Sequence, residues 1–471
     1  MTPGTPGARR KYDLVILGAG PAGEKAAAQA GYFGKRVAIV ERAPEPGGAG
    51  VHTGTLPSKT LRESALYLSG YRNRELYGIA VQLEPGATLP LLMARKAAIA
   101  RTESQRIRDN LAKHGVDYFF GHGRITGPNT VAVTTAADNV ELCGEYLLLA
   151  TGSRPFRPHG IAFEDPRIHD SDEILDLERL PSSLTILGAG VIGCEYACMF
   201  AALGSKVTLV DARAEILPFL DGEIVERLQS AMAGLGIDLR CGSRWRDVAA
   251  TDAGVVTTLE DASALSSDQL LFAAGRIGRT EDIGLDTVGL RADARGCLSV
   301  DASYRTGVPS ILAAGDVIGF PALASTSMEQ GRVAVCRAFG FAYKQSVADV
   351  LPYGIYTIPE VSSVGETERT CREKGILHVA GRAPFRDNAR GKIAGDIEGM
   401  TKLIVDAKTR RVLGVHVIGE RATELVHIGQ VALHLSATVD LFIDMVFNFP
   451  TLAESYKYAA YECLGALKNR E

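Results

Sequence analysis

Two stretches of this chain share one internal spacing, and that duplication constrains the fold more than any other feature. Residues 14–41 read LVILGAGPAGEKAAAQAGYFGKRVAIVE, and residues 184–211 read LTILGAGVIGCEYACMFAALGSKVTLVD. Gly18, Gly20 and Gly23 correspond to Gly188, Gly190 and Gly193, and acidic Glu41 corresponds to acidic Asp211. Each copy runs from an apolar stretch of strand length through G-x-G-x-x-G into an alanine-rich helical stretch. A second β-branched run then ends on an acid about twenty residues on. The first glycine permits a tight turn, and the second lets backbone amides approach a pyrophosphate. The third lets helix pack on strand, so that the helix N-terminus faces the anion. The acid is placed to accept from a ribose hydroxyl. One such turn is a weak signal, because glycine turns also join strands to helices for structural reasons. Two complete units in one register imply two dinucleotide sites.

The 471 residues suggest three or four domains at about 100 to 200 residues each. Basic residues (51) and acidic residues (55) are interspersed and leave a net charge of −4. That balance argues against nucleic acid or an anionic membrane as partner. The start, MTPGTPGARRKY, reads as a frayed tail, since no apolar segment of a targeting signal follows it. No run approaches the roughly 18 apolar residues of a spanning helix, so the expectation is a soluble, cytoplasmic protein. The eight cysteines form no C-x-x-C pair and no metal-like cluster. Cys194 and Cys198 read as core packing on the second alanine-rich helix. His427 and His434 read as surface residues without ligand partners, and no metal site is expected.

The loop GGAGVHTGTLPSK (47–59) follows the first unit and leads into a helical stretch through about residue 114. LLLATGSRP (147–155) and LLFAAGRIG (270–278) each close an apolar strand on a small-residue turn. The prolines after ATG stop further regular structure and mark a crossing between domains. ILAAGDV (311–317) then returns to complete the first domain before a helix at about 326–339. The resulting boundaries are 1–157 and 277–348 for the first domain, 158–276 for the second and 349–471 for a third. The third has no nucleotide loop. It offers alternating strands, a helix at about 422–436 and FNFPTLAESYKYAA (447–460), and its apolar surfaces call for a symmetric partner. The fold class is α/β, with two Rossmann-like domains and an α+β C-terminal domain.

These landmarks in this order resemble the pyridine nucleotide disulfide oxidoreductases, over residues 12–465. The resemblance implies FAD in the first unit, NAD or NADP in the second, and dimerisation through the third domain. Carried over by position, Gly18, Gly20, Gly23 and Glu41 would hold the FAD adenosine and pyrophosphate. Gly48 and Thr55 belong to the flavin loop, Thr151 and Gly152 to the domain crossing, and Gly315 and Asp316 to the pyrophosphate and ribityl chain. Gly188, Gly190, Gly193, Asp211, Arg213 and Gly275 would serve NAD(P). Lys59 would lie beside flavin N5, paired with Glu195, as the catalytic pair. His52, inside the flavin loop, is the histidine placed to reach the isoalloxazine.

One departure narrows the reading. Family disulfide reductases carry two cysteines in this loop, where this chain has Gly50 and Thr55, and a histidine base near the C-terminus, where it has Phe449. Losing thiols and base together is chemically coherent, because a base without a thiol has no task. Within the family, strings such as AAGDVIGFPALAS (313–325) and GERATELVHIGQ (419–430) resemble the soluble pyridine nucleotide transhydrogenases. Those also lack the pair, although Gly50 departs from the cysteine they commonly keep at the first position. The implied activity is hydride transfer between NADPH and NAD. The alternatives are an NAD(P)H dehydrogenase acting on quinones and a nucleotide-sensing flavoprotein. Asp211 favours the free ribose hydroxyl of NAD, whereas Arg213 offers a phosphate contact to NADP. The sequence leaves assemblies beyond a homodimer open.

Overall fold

A computed structural model describes residues 9–69 and 85–469 of the chain. Both duplicated stretches fold as βαβ units. In the first, Arg9–Leu17 pairs in parallel with Val37–Glu41, and Pro21–Tyr32 is the connecting helix. In the second, Ser183–Leu187 pairs in parallel with Lys206–Asp211 around the helix Val191–Ala202. Leu14, Val15 and Ile16 have no exposed surface, as expected of a parallel strand covered on both faces.

The first unit extends into a seven-stranded sheet whose central partner is Asn139–Leu149, the strand beside Arg9–Leu17. Ile311–Ala313 rejoins that partner in parallel, from well over a hundred residues further along. The second unit forms a separate five-stranded parallel sheet that includes Gln269–Phe272 and Ile168–Asp170. A two-stranded antiparallel ribbon, Ser153–Pro155 against Arg276–Gly278, stands where the chain leaves one sheet for the other and comes back. The third sheet is antiparallel, five-stranded, and covered by the helices Ala422–His434 and Ser455–Lys468. Fully buried Tyr456 anchors the second of these helices, its hydroxyl donating to the Leu425 carbonyl at 2.8 Å.

Two local expectations change. The basic cluster Arg9–Arg10–Lys11 lies in the first strand, with Arg9 opposite Glu141, because the long central strand offers pairing partners beyond the apolar run. The rest of the expected tail, residues 1–8, lies outside the described residues. The loop 47–59 is largely helical: Gly48–His52 forms one turn, and Thr55–Leu68 begins a helix that carries Lys59. Positive φ at Gly47 and Gly48 redirects the chain there, which glycine permits without side-chain clash. The remaining helical stretch is Pro85–Lys113.

Asp221, Glu223 and Glu368 converge between the second sheet and the third, and the Lys402 ammonium sits among them. Its distances are 2.7, 3.0 and 2.5 Å, with only 2% of its side chain exposed. Taken alone, burial would oppose this charge; the three carboxylates outweigh it and hold the ammonium above its ordinary value. Arg382 adds a second cation, reaching Glu223 at 2.7 Å and Glu368 at 3.3 Å, so an ion-pair cluster joins the two sheets there. Among the described residues, no helix is long and apolar enough to cross a membrane.

Candidate functional site

The first glycine turn is held open by its own strand–helix geometry. Gly18 sits at φ +103°, and a Cβ there would lie 2.3 Å from the Ala150 carbonyl oxygen. A Cβ on Gly23 would lie 1.9 Å from the Gly18 carbonyl, so the helix can start this close only without side chains. Glu41, at the end of the second strand, accepts from the Ala19 amide at 2.7 Å and the Ala43 amide at 2.9 Å. Gly48 folds back over the turn, where a Cβ would stand 3.0 Å from the Gly20 Cα.

A cavity of about 1080 Å³ opens from this turn. Its walls include Gly18, Gly20, Glu41, Gly48, Thr55, Lys59, Thr151, Gly152, Glu195, Gly315 and Asp316, so residues from distant parts of the sequence meet there. Asp316 accepts from the Ser153 hydroxyl at 2.7 Å and the Ser327 hydroxyl at 3.4 Å, while Gly315 donates its amide to Gln330 Oε1 at 2.9 Å. Thr151 donates to the Arg279 carbonyl at 2.6 Å. His52 also lines the cavity, with Nε2 3.0 Å from the Pro46 carbonyl and 3.3 Å from Ser104 Oγ. These contacts tie its ring to the loop and to the helix that follows.

Lys59 and Glu195 form an ion pair at 2.6 Å, with the carboxylate almost buried and the lysine about one quarter exposed. The other Glu195 oxygen accepts from the Tyr356 amide at 2.9 Å, and the Lys59 ammonium stands 4.8 Å from the centre of the Tyr356 ring. Three elements therefore fix one cation: the helix from Thr55, the helix from Val191 and the strand-end loop at Tyr356. Such a pair loses less to solvent than a surface one. One turn further along the same helix, Arg62 donates to the Thr357 carbonyl at 2.9 Å and reaches Glu360 at 3.2 Å.

The second glycine turn repeats the first. Gly188 has φ +108°, and its absent Cβ would meet the Ala273 carbonyl at 2.8 Å; that of Gly193 would meet Gly188 O at 1.8 Å. Asp211 accepts from the Ala189 amide at 2.6 Å. Its carboxylate also takes the Arg213 amide at 2.8 Å and the Arg213 guanidinium at 2.9 and 2.7 Å. Burial works against this charge, but Arg213 and the amides prevail and hold Asp211 below the usual carboxylate range. Gly190, Asp211, Arg213 and Gly275 are not part of the large cavity's wall; Val191, Ile192, Glu195 and Tyr196 connect the second unit to it.

No cysteine is among the residues lining that cavity. All eight are unpaired. Cys194 and Cys198 are fully buried on the second helix, and burial pushes the Cys198 thiol up to about 12. They are poor candidates for thiolate chemistry.

Comparison with known proteins fits this geometry. The family described as Pyridine nucleotide-disulphide oxidoreductase matches residues 12–331, and its dimerisation domain matches residues 351–460. The chain belongs to this family. A relative named "Soluble pyridine nucleotide transhydrogenase" from Mycobacterium bovis is 45% identical, over 98% of each chain. One of the same name from Pseudomonas entomophila is 40% identical, over 97% of this chain and 99% of the other. Among solved structures, LpdA from Mycobacterium tuberculosis superposes with a TM-score of 0.88 at 29% identity, covering 96% and 99% of the two chains. The flavoprotein disulfide reductase RclA from Escherichia coli gives 0.86 at 28%, covering 94% and 98%.

Like its family, the chain is a flavin oxidoreductase that acts on NAD(P), and the cavity fits FAD by its own chemistry. Gly20, Pro21 and Ala22 at the start of the first helix line it and give an anion a helix N-terminus, two carboxylates can accept hydroxyls, and the enclosed volume suits a large ligand. Three parts of the site escaped the sequence reading: Tyr356, the serines that hold Asp316, and the arginines near Thr151. None lies in a motif with a stated mechanism, and each becomes visible only when the chain folds back on itself.

Proposed function

We propose that this enzyme moves a hydride between NADPH and NAD without any redox disulfide. The observation that carries the reading is the Lys59–Glu195–Tyr356 arrangement on a cavity whose described lining contains no thiol. Transhydrogenase relatives matching nearly the whole chain support it. FAD, when bound, supplies the two-electron store. The start of the first helix at Gly20 and the Glu41 carboxylate would hold its diphosphate and adenosine, with Asp316 accepting from its polyol. Lys59 brings a fixed positive charge to the cavity wall, where it lowers the cost of negative charge that develops on hydride arrival. Glu195 keeps that ammonium in place and prevents it from turning to solvent.

The nicotinamide substrates would use the second turn in succession. Asp211 accepts the ribose hydroxyl of NAD; Arg213, half exposed, swings from Asp211 toward the added phosphate of NADP. NAD is thereby the intrinsically favoured nucleotide. We further assign residues 1–157 and 277–348 to the FAD domain, 158–276 to the NAD(P) domain and 349–471 to the dimer domain of a cytoplasmic homodimer. Val431, Leu435, Val446 and Phe449 are exposed on that last domain and supply the apolar surface a partner copy would cover.

The test is anaerobic. The purified protein is titrated with NADPH, then oxidised with thio-NAD. One electron pair per subunit and ping-pong kinetics are expected. Reduction that takes up two pairs per subunit, or turnover abolished by thiol alkylation, would overturn the reading. Turnover with quinone alone would replace it with a quinone reductase, and tight nucleotide binding without turnover with a sensor.

A further inference from the structure

The ribbon between the two nucleotide units carries more positive charge than its neighbours neutralise. Arg154 lies on one strand and pairs with Glu281 at 2.6 Å. Arg276 lies on the other, reaching Asp172 at 3.1 Å and the Ser153 hydroxyl at 3.0 Å. Arg279 follows three residues later, and its nearest carboxylate is that same Asp172, at 3.9 Å. Its Nε is buried and has no hydrogen-bond partner. Arg42, at the cavity rim just after Glu41, has no ion-pair partner among the described residues.

Among the described residues, the carboxylates of Glu41 and Asp316, which line the same cavity, form no ion pair with these arginines. Glu41 spends its oxygens on backbone amides, and Asp316 on serine hydroxyls. Burial, then Arg42, then the other arginines press the Arg279 charge downward, with Asp172 alone in opposition. A buried donor without a partner is destabilising, and more so where it is charged. An anion in the cavity would offset that cost.

The position of the arginine identifies which anion. The Arg279 amide donates to the Gly152 carbonyl at 2.9 Å, and its own carbonyl takes the Thr151 hydroxyl. Thr151 follows Ala150, whose carbonyl packs against Gly18 at the first turn. The Arg279 backbone is thus pinned beside the first dinucleotide cradle, and its side chain lines the same cavity.

We propose that Arg279, assisted by Arg42, is a ligand of the diphosphate of the dinucleotide held at the first turn, and that it fastens the interdomain ribbon to that cofactor. A guanidinium fork matches phosphate oxygens in geometry and in charge. The proposal rests on the reading that the first cradle holds FAD.

The test is release of FAD from the holoenzyme, followed by flavin fluorescence over a range of ionic strength. Arg279→Met should speed release at least tenfold and flatten its dependence on salt, because the interaction it removes is ionic. Arg279→Lys should restore part of both. Arg42→Met should act in the same direction with a smaller factor, and it serves as the reading should Arg279→Met fail to fold. Release within twofold of wild type in both arginine variants overturns the proposal. So does faster release with an unchanged salt slope, which would mark a packing role. A wild-type protein purified without flavin would instead refute the cofactor reading, and ADP affinity in the same variants would then judge the diphosphate contact separately.

Discussion

The two glycine turns of this chain are near copies in backbone, yet one is closed and the other open. Gly18 and Gly188 share φ values of +103° and +108°, and Glu41 and Asp211 take the same amide at 2.7 and 2.6 Å. The differences begin above the turn. Gly20 lies under Gly48, whereas among the described residues nothing stands within 4 Å of where a Gly190 Cβ would be. Glu41 is satisfied by backbone amides alone; Asp211 is clasped by a half-exposed, movable Arg213. A lidded cradle with rigid donors suits a cofactor that stays. An uncovered cradle with a swinging cation suits substrates that come and go, one of which carries an extra phosphate.

The largest effect should come from filling the closed turn. Gly18→Ala puts a methyl 2.3 Å from a backbone oxygen at a φ that L-residues avoid, so the strand and helix must separate. The expected product is colourless or insoluble protein, read from flavin absorbance. Gly190→Ala at the open turn should keep its flavin and fold normally, with weakened NAD(P)H binding in initial-rate kinetics. If Gly190→Ala lost flavin as well, the contrast between resident and visiting nucleotides would fail.

Next in size is the cation between the two sites. Lys59→Met should retain flavin but slow its reduction by NADPH roughly a hundredfold, in line with loss of one preorganised charge. Stopped-flow rates equal to wild type would remove Lys59 from the chemistry.

The contrast between the turns was only partly legible in the sequence. Spacing of Gly18, Gly20 and Gly23 against Gly188, Gly190 and Gly193 foretold both βαβ units, because close strand–helix packing admits few other residues. The acids at 41 and 211 followed from the same geometry. Lys59 and Glu195 rested on resemblance, and the structure brings them together across 136 residues. What held no local signature was the setting. Tyr356 reaches Glu195 from the third sheet, and Arg279 reaches the first turn through Thr151 and Gly152. Neither contact leaves a period or a motif in the chain. The helical character of 47–59 was hidden for a different reason: glycines and a proline there resemble a loop until tertiary packing overrides propensity.

The smallest effects concern Arg213, and they separate its two tasks. Arg213→Ala should raise the KM for NADPH about tenfold, near 1.4 kcal/mol, as expected for one charge-assisted contact, while the KM for NADH stays within about twofold at pH 7. Equal KM values for both nucleotides before and after the substitution would refute a phosphate role. Its second task shows in the pH profile. In wild type, Arg213 and the amides hold Asp211 below its ordinary value against burial, so the carboxylate stays charged and NADH binding should be flat as pH falls from neutrality toward 5. Without the guanidinium, burial has less to oppose it and the Asp211 value rises, so the carboxylate takes up a proton as pH falls through that raised value. The proton removes the acceptor for the ribose hydroxyl, so the KM for NADH in Arg213→Ala should climb on the acid side where wild type does not. A flat profile in the variant would mean that the amides of Ala189 and residue 213 suffice to hold the charge. Asp211 would then resemble Glu41, a carboxylate that accepts from backbone amides, and the two turns would differ only in their lids.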